Sequence, residues 1–215
     1  IKMAPLVHEM EKRDEIESIV CVTAQHRQML DQVLEAFHIN PDYDLDIMKQ
    51  GQSLSDITTR VLKGLEEVIK EVKPDIVLVH GDTTTTFAGA LAAFYQQVAI
   101  GHVEAGLRTY NKYSPFPEEM NRQFVSVMAD MNFSPTEQSK ENLIREGKNP
   151  ETIYVTGNTA IDALQLTVSE GYNDEITEWV GDDRLIVLTA HRRENLGEPM
   201  RRMFRAIRRI IDKYD

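Results

Sequence analysis

Apolar runs and amphipathic stretches alternate along the chain almost without exception. IESIVCVTA (16–24) has the continuous apolar character of a strand, and HRQMLDQVLEAFHI (26–39) has helical spacing. Leu54, Ile57, Val61, Leu65, Val68 and Val72 mark one face of a long helix, with Ser53 or Ser55 as its cap. PDIVLVHGD (74–82) is apolar throughout, as expected of a strand covered on both sides in a parallel sheet. TTTTFAGALAAFYQQ then predicts a helix of small residues, VAIGHVEA a strand, EEMNRQFVSVMAD a helix, and MNFSP a short strand. TEQSKENLIREG predicts a helix stopping at Gly147, IYVTG (153–157) a strand, and Asn158 the start of another helix.

This β–α alternation with short connections predicts an α/β fold, a doubly wound parallel sheet. The pattern loosens at 169–183, where SEGYNDEITEWVGDD is acidic and loop-like, and DRLIVLTAH and EPMRRMFRAIRRIIDKY then supply a fresh strand and helix. The expected organisation is a domain over 1–168, a linker or crossover over 169–183, and the first βα unit of a second α/β domain over 184–215. The chain opens at Ile1, without a methionine and within a helical pattern, so a fragment lacking its first strand is expected.

Composition narrows the classes. With 41% hydrophobic and 27% charged residues among 215, the chain has the makeup of an ordinary globular protein. A formal charge of −11 argues against holding nucleic acid through its phosphates, yet leaves room for a local basic pocket. No apolar run approaches the ~20 residues that span a bilayer, so a cytoplasmic protein without a membrane partner is expected. Cys21 lies in an apolar run and reads as a core residue. The six histidines lack metal-ligand spacing, and no phosphate-binding GxxxxGK[ST] is present.

Ligands of open α/β sheets bind beyond the carboxyl ends of the strands. Three predicted strands end there in ionisable residues: Asp82, Glu104 and His191. Each also has a structural explanation. Asp82 precedes four threonines and suits a helix cap, while Glu104 suits an ion pair with Arg108 or a contact with His102. Glu118 and Glu119 suit the first turn of a helix, and His191 a strand end on the surface. Taken together, several acids and an imidazole suit acid–base chemistry. Arg192 and Arg193 precede a helix start and suit an anion, whereas the arginines at 201, 202, 205, 208 and 209 form a solvated basic face.

IKMAPL, CVTAQHRQMLD, HGDTTTTFAGALAAFY, GHVEAGLRT, SPFPEEMNR, FSPTEQSKENLIREG, TGNTAIDAL and LTAHRREN follow one another in this order. Together they resemble the bacterial non-hydrolysing UDP-N-acetylglucosamine 2-epimerase family across essentially the whole chain. The resemblance implies a GT-B-like fold, two Rossmann-like domains with the site between them, and no cofactor. By motif, it places Asp82, Glu104, Glu118 and His191 at catalytic positions, and Lys2, Arg122 and Arg192 with substrate. It further implies UDP-N-acetylglucosamine as both substrate and allosteric activator, with Gln25, Gln28, Gln52, Glu118 and Arg192 at the second site, and a homodimer. A hydrolysing epimerase, a GT-B glycosyltransferase and a non-catalytic nucleotide-sugar sensor share enough of this pattern to stand as alternatives.

Overall fold

The computed structural model describes residues 1–24, 27–169, 171–190 and 196–214, and the chain divides into two compact units, Ile1–Val168 and Ser169–Asp215. In the first unit the chain runs α1 (Ala4–Glu11), β1 (Cys21–Val22), α2 (Arg27–Ala36), β2 (Tyr43–Asp44), α3 (Leu54–Val72), β3 (Ile76–His80) and α4 (Thr84–Tyr95). It continues through β4 (Ala99–Val103), α5 (Glu118–Met128), β5 (Met131–Ser134), α6 (Glu137–Arg145), β6 (Ile153–Val155) and α7 (Thr159–Thr167).

The four strands β3-β4-β5-β6 pair in that order, all parallel, so the fold is the parallel α/β class expected from the alternation. A second ladder, β1 with β2, is parallel and only two residues long. The apolar run at 16–24 therefore yields a much shorter strand than its pattern predicts. β3 also departs from expectation, since of Ile76–His80 only Val79 is buried. Its ladder partner on one side is β4, and among the described residues it has none on the other. β4, flanked on both sides, is buried from Ile100 to Val103.

Helix starts follow their caps. Ser53 and Asp56 exchange side-chain and backbone hydrogen bonds at the head of α3, a capping box. Thr83, Thr136 and Asn158 each accept a backbone N–H at the heads of α4, α6 and α7. α4 owes its depth to small residues: Ala88, Ala90, Ala92 and Ala93 are at most 1% exposed. Ala90, Ala92 and Ala93 join Ile69, Val79, Ile100, Val125 and Ala129 in the main core, so α3, α4 and α5 are clamped to the sheet. A second cluster, Ala4, Val7, Phe37, Ile39 and Ala163, ties α1 to α7 and fixes the chain start near the Asn158 turn.

The second unit contains α8 (Glu175–Val180), inside the stretch expected to be a linker, and α9 (Glu198–Ile211). No described residue in it is buried. The strand predicted from DRLIVLTAH is absent over 184–190, and Ile186 and Val187 are 80% and 82% exposed. A strand forms only against a neighbouring strand, and none is available to this run among the described residues.

Candidate active site

The carboxyl ends of β3 and β4 turn sharply at GlyAsp and ValGluAla. Gly81 takes φ +72° immediately before Asp82, and Glu104 itself takes φ +66°. The second value is costly for a residue with a Cβ, and such strain is retained where the surroundings over-determine it. At Glu104 those surroundings are specific. Lys2 Nζ lies 2.5 Å from Oε2, Asn158 Nδ2 donates to the same oxygen at 3.2 Å, and His80 Nε2 stands 3.8 Å away. Neither partner proposed from the sequence, Arg108 or His102, is the one used. Arg108 makes a two-pronged pair with Glu146 at 2.7 Å and also reaches Ser126, and His102 bonds Gly81.

Asp82 is gripped from α5. Arg122 Nη2 lies 3.3 Å from its Oδ2, and Asn121 Nδ2 donates to its backbone carbonyl at 2.9 Å. The cap of α4 is therefore Thr83, and the Asp82 carboxylate is left facing Arg122. Burial pushes the Asp82 carboxyl above its ordinary value; Arg122 opposes this, Glu118 and Glu104 add to it, and Lys2 opposes it. Glu104, Glu118, Lys2 and Arg122 thus all lie within electrostatic reach of Asp82. His80 is pushed down by burial and by Lys2, against an upward pull from Glu104, so its ring is held toward the neutral form.

Glu119 stands in the first turn of α5, where its position in the sequence puts it, but it is fully buried there. Its carboxylate accepts the Thr109 and Tyr110 amides at 3.0 Å each and the Gln123 side chain at 2.8 Å. Burial alone would raise its pKa, but these hydrogen bonds and Arg122 reverse the sign and hold it below the usual value. Glu119 clasps the returning loop, which carries cis peptides before Pro115 and Pro117, and so places Glu118 at the head of α5.

Of the remaining candidates, Gln28 is exposed on α2, and Gln52 accepts from Arg60 at 2.9 Å. Neither touches the carboxylate cluster among the described residues. Gln25, His191 and Arg192 lie outside the described residues. His80, Asn121 and Asn158 were not singled out from the sequence as site residues; all three stand inside quoted motifs, HGDTTTT, EEMNR and TGNTA, and Asn121 is one residue from Arg122. Burial holds the Cys21 thiol up at about 11, with Asp44 adding to the effect, as befits an inert residue. Among the described residues no cluster of His, Cys, Asp and Glu is placed to hold a metal ion, and no helix is long and apolar enough to cross a membrane.

The family model for UDP-N-acetylglucosamine 2-epimerase matches residues 8–215. A Bacillus subtilis relative, a UDP-N-acetylglucosamine 2-epimerase, is 65% identical over 215 residues, which are the whole of this chain and 57% of the relative. The solved UDP-GlcNAc 2-epimerase of Neisseria meningitidis, bound to UDP-GlcNAc, superposes with a TM-score of 0.89 at 50% identity over 99% of this chain and 60% of that one. The Methanocaldococcus jannaschii enzyme, in complex with UDP-GlcNAc and UDP, gives 0.83 at 35% identity over 100% and 60%. The chain thus spans somewhat more than half the length of these relatives. With a GT-B-type parallel α/β fold and a match running from Ile1 through the carboxylate turns to the C-terminal helix, the chain belongs to the UDP-N-acetylglucosamine 2-epimerase family.

Proposed function

We propose that the full-length protein interconverts UDP-N-acetylglucosamine and UDP-N-acetylmannosamine without net hydrolysis. The carrying observation is the gathering of Glu104, Glu118, Lys2 and Arg122 around Asp82 beyond β3 and β4, with Lys2 paired to Glu104 and Arg122 to Asp82. The C2 proton of the sugar is not adjacent to a carbonyl, so its direct removal is prohibitively slow. Departure of UDP from C1 builds oxocarbenium character that acidifies C2–H. A base takes that proton as the C1–O bond breaks, giving 2-acetamidoglucal and UDP. A donor then returns a proton to C2 on the opposite face, and UDP re-forms its bond at C1.

Two faces need two proton handlers, and carboxyls differing in pKa through burial and mutual repulsion suit that division. Lys2 and Arg122 supply the cationic charge that a leaving diphosphate calls for, joined on motif grounds by His191 and Arg192. By the same resemblance, substrate also acts as an activator at a second site that includes Gln25, Gln28, Gln52, Glu118 and Arg192. The enzyme works as a cytoplasmic homodimer supplying cell-surface polysaccharide synthesis. A strictly hyperbolic rate curve would remove the second site, and a monomer at sedimentation equilibrium would remove the dimer.

The decisive experiment incubates the full-length protein with UDP-N-acetylglucosamine in D₂O and follows the products by NMR. Deuterium at C2 together with UDP-N-acetylmannosamine is expected. Free N-acetylmannosamine would instead identify a hydrolysing epimerase, and no exchange would point to a transferase or a sensor. Glu104→Gln is expected to fold and to lose at least about a hundredfold in turnover, the scale of a lost proton-transfer group. Near-normal turnover would sink the assignment of Glu104.

A further inference from the structure

His102 lies in the middle of the sheet, 0% exposed, two residues ahead of Glu104 on β4. Its Nε2 is 2.8 Å from the carbonyl oxygen of Gly81, the residue immediately before Asp82. The Gly81 amide closes the β3–β4 ladder by donating to Val103 O at 2.9 Å, whereas its carbonyl has left the ladder at φ +72° and turned to the imidazole. A carbonyl only accepts, so Nε2 carries the hydrogen and Nδ1 of the neutral ring presents a lone pair.

Polar side chains neighbour His102 on the same face of the sheet. Asn132 is the direct ladder partner of His102 in the parallel register, and Ser134 follows two residues later on the same face. Both are 0% exposed, and both have side-chain atoms without a hydrogen-bond partner among the described residues, as has Nδ1 itself. An otherwise apolar sheet face thus carries a polar track running toward the strand end that holds Glu104. Buried polar groups of this kind are retained when they fix a unique geometry.

We infer that His102 is a positioning residue: by tying the β4 backbone to the Gly81 carbonyl, it sets the distance between the Asp82 and Glu104 carboxylates. The Asp82 segment is then held at three points, with His102 on the carbonyl before it, Asn121 on its own carbonyl, and Arg122 on its carboxylate. No atom of His102 need touch a substrate. The inference rests on the epimerase reading for its effect on rate, but its geometric content does not.

The test uses the full-length protein with ¹⁵N-labelled histidine, His102→Leu serving to assign the signal. The wild-type ring is expected in the neutral Nε2–H tautomer at pH 7; an Nδ1–H tautomer or a doubly protonated ring would overturn the inference. His102→Gln can place an amide N–H where Nε2–H stands, and it is expected to keep kcat within about threefold of wild type. His102→Leu is expected to lose at least about tenfold in kcat, with a smaller change in KM, as for a displaced catalytic pair. Folded Gln and Leu variants with equal losses would also overturn it. Should the Leu variant fail to fold, the ring tautomer and the Gln variant decide. If the wild-type protein forms no UDP-N-acetylmannosamine, the functional reading fails and the tautomer alone decides this one.

Discussion

At Asp82, burial and two neighbouring carboxylates outweigh one arginine and one lysine. Its folded-state pKa lies above the ordinary 3.8, so just above that pH the folded protein binds more protons than the unfolded chain. Stability from this group therefore falls as pH rises through the window above 3.8 and stays lower at neutrality. Asp82→Asn is expected to match or exceed wild type in denaturant midpoint at pH 7 while losing most of its turnover; a clearly lower midpoint would contradict this. His102 has the opposite sign. Burial pushes its pKa down to about 4, so protonation of the unfolded chain removes stability as pH falls from 6.5 toward 4. The full effect is about 3 kcal/mol, and His102→Gln is expected to flatten the stability curve across that window. Parallel curves for the two proteins would refute it. The strand-end acids were legible from the sequence because an ionisable residue closing an apolar run stands out. His102 was not, because a histidine within such a run gives no sign of which backbone carbonyl it will meet.

Among the elements, the head of α5 and the loop before it depend on one carboxylate. Replacing Glu119 with alanine would leave the Thr109 and Tyr110 amides without their acceptor and remove a close partner of Arg122. The expected loss is roughly 3–5 kcal/mol, with sharply faster hydrogen exchange at those two amides. Unchanged protection there would show that the loop holds itself. Glu118 and Glu119 are alike by composition and helical position; only the loop that folds back onto one of them separates their fates, and that is a tertiary fact. A similar close approach exists at Gly106, where an added Cβ would meet the Ser139 carbonyl oxygen at 2.2 Å and the backbone sits at φ +87°. Gly106→Ala is expected to lower the melting temperature by several degrees, reflecting a cost of at least roughly 1–3 kcal/mol. The starts of α3 and α7, by contrast, were readable in advance, since Ser53 and Asn158 cap locally and depend on few distant residues, whereas α4 is capped by Thr83, one residue after the Asp82 that the sequence suggested.

For the molecule as a whole, alternation alone identified the parallel α/β class, because a period-3.6 stretch after each apolar run leaves few other topologies. Pairing, however, is a property of two strands and cannot be read from one. The run at 184–190 has the composition of a strand and lacks a ladder among the described residues, and its amides are expected to exchange with solvent within seconds to minutes. Protection matching that of β4 would contradict this. Spanning 57% of the Bacillus relative, the 215-residue chain alone is expected to show no epimerisation, and measurable turnover by the purified chain would overturn that.

The left-handed backbone at Glu104 sets folding and chemistry against each other in a way that selection can read. Glycine adopts φ +66° freely, and asparagine more readily than glutamate does. A library of position-104 variants screened only for resistance to heat should therefore drift to glycine. The same library, built in the full-length protein and screened for the proposed epimerase turnover, should return glutamate. Two selections that disagreed in this way would separate what the backbone prefers from the chemistry proposed for the side chain.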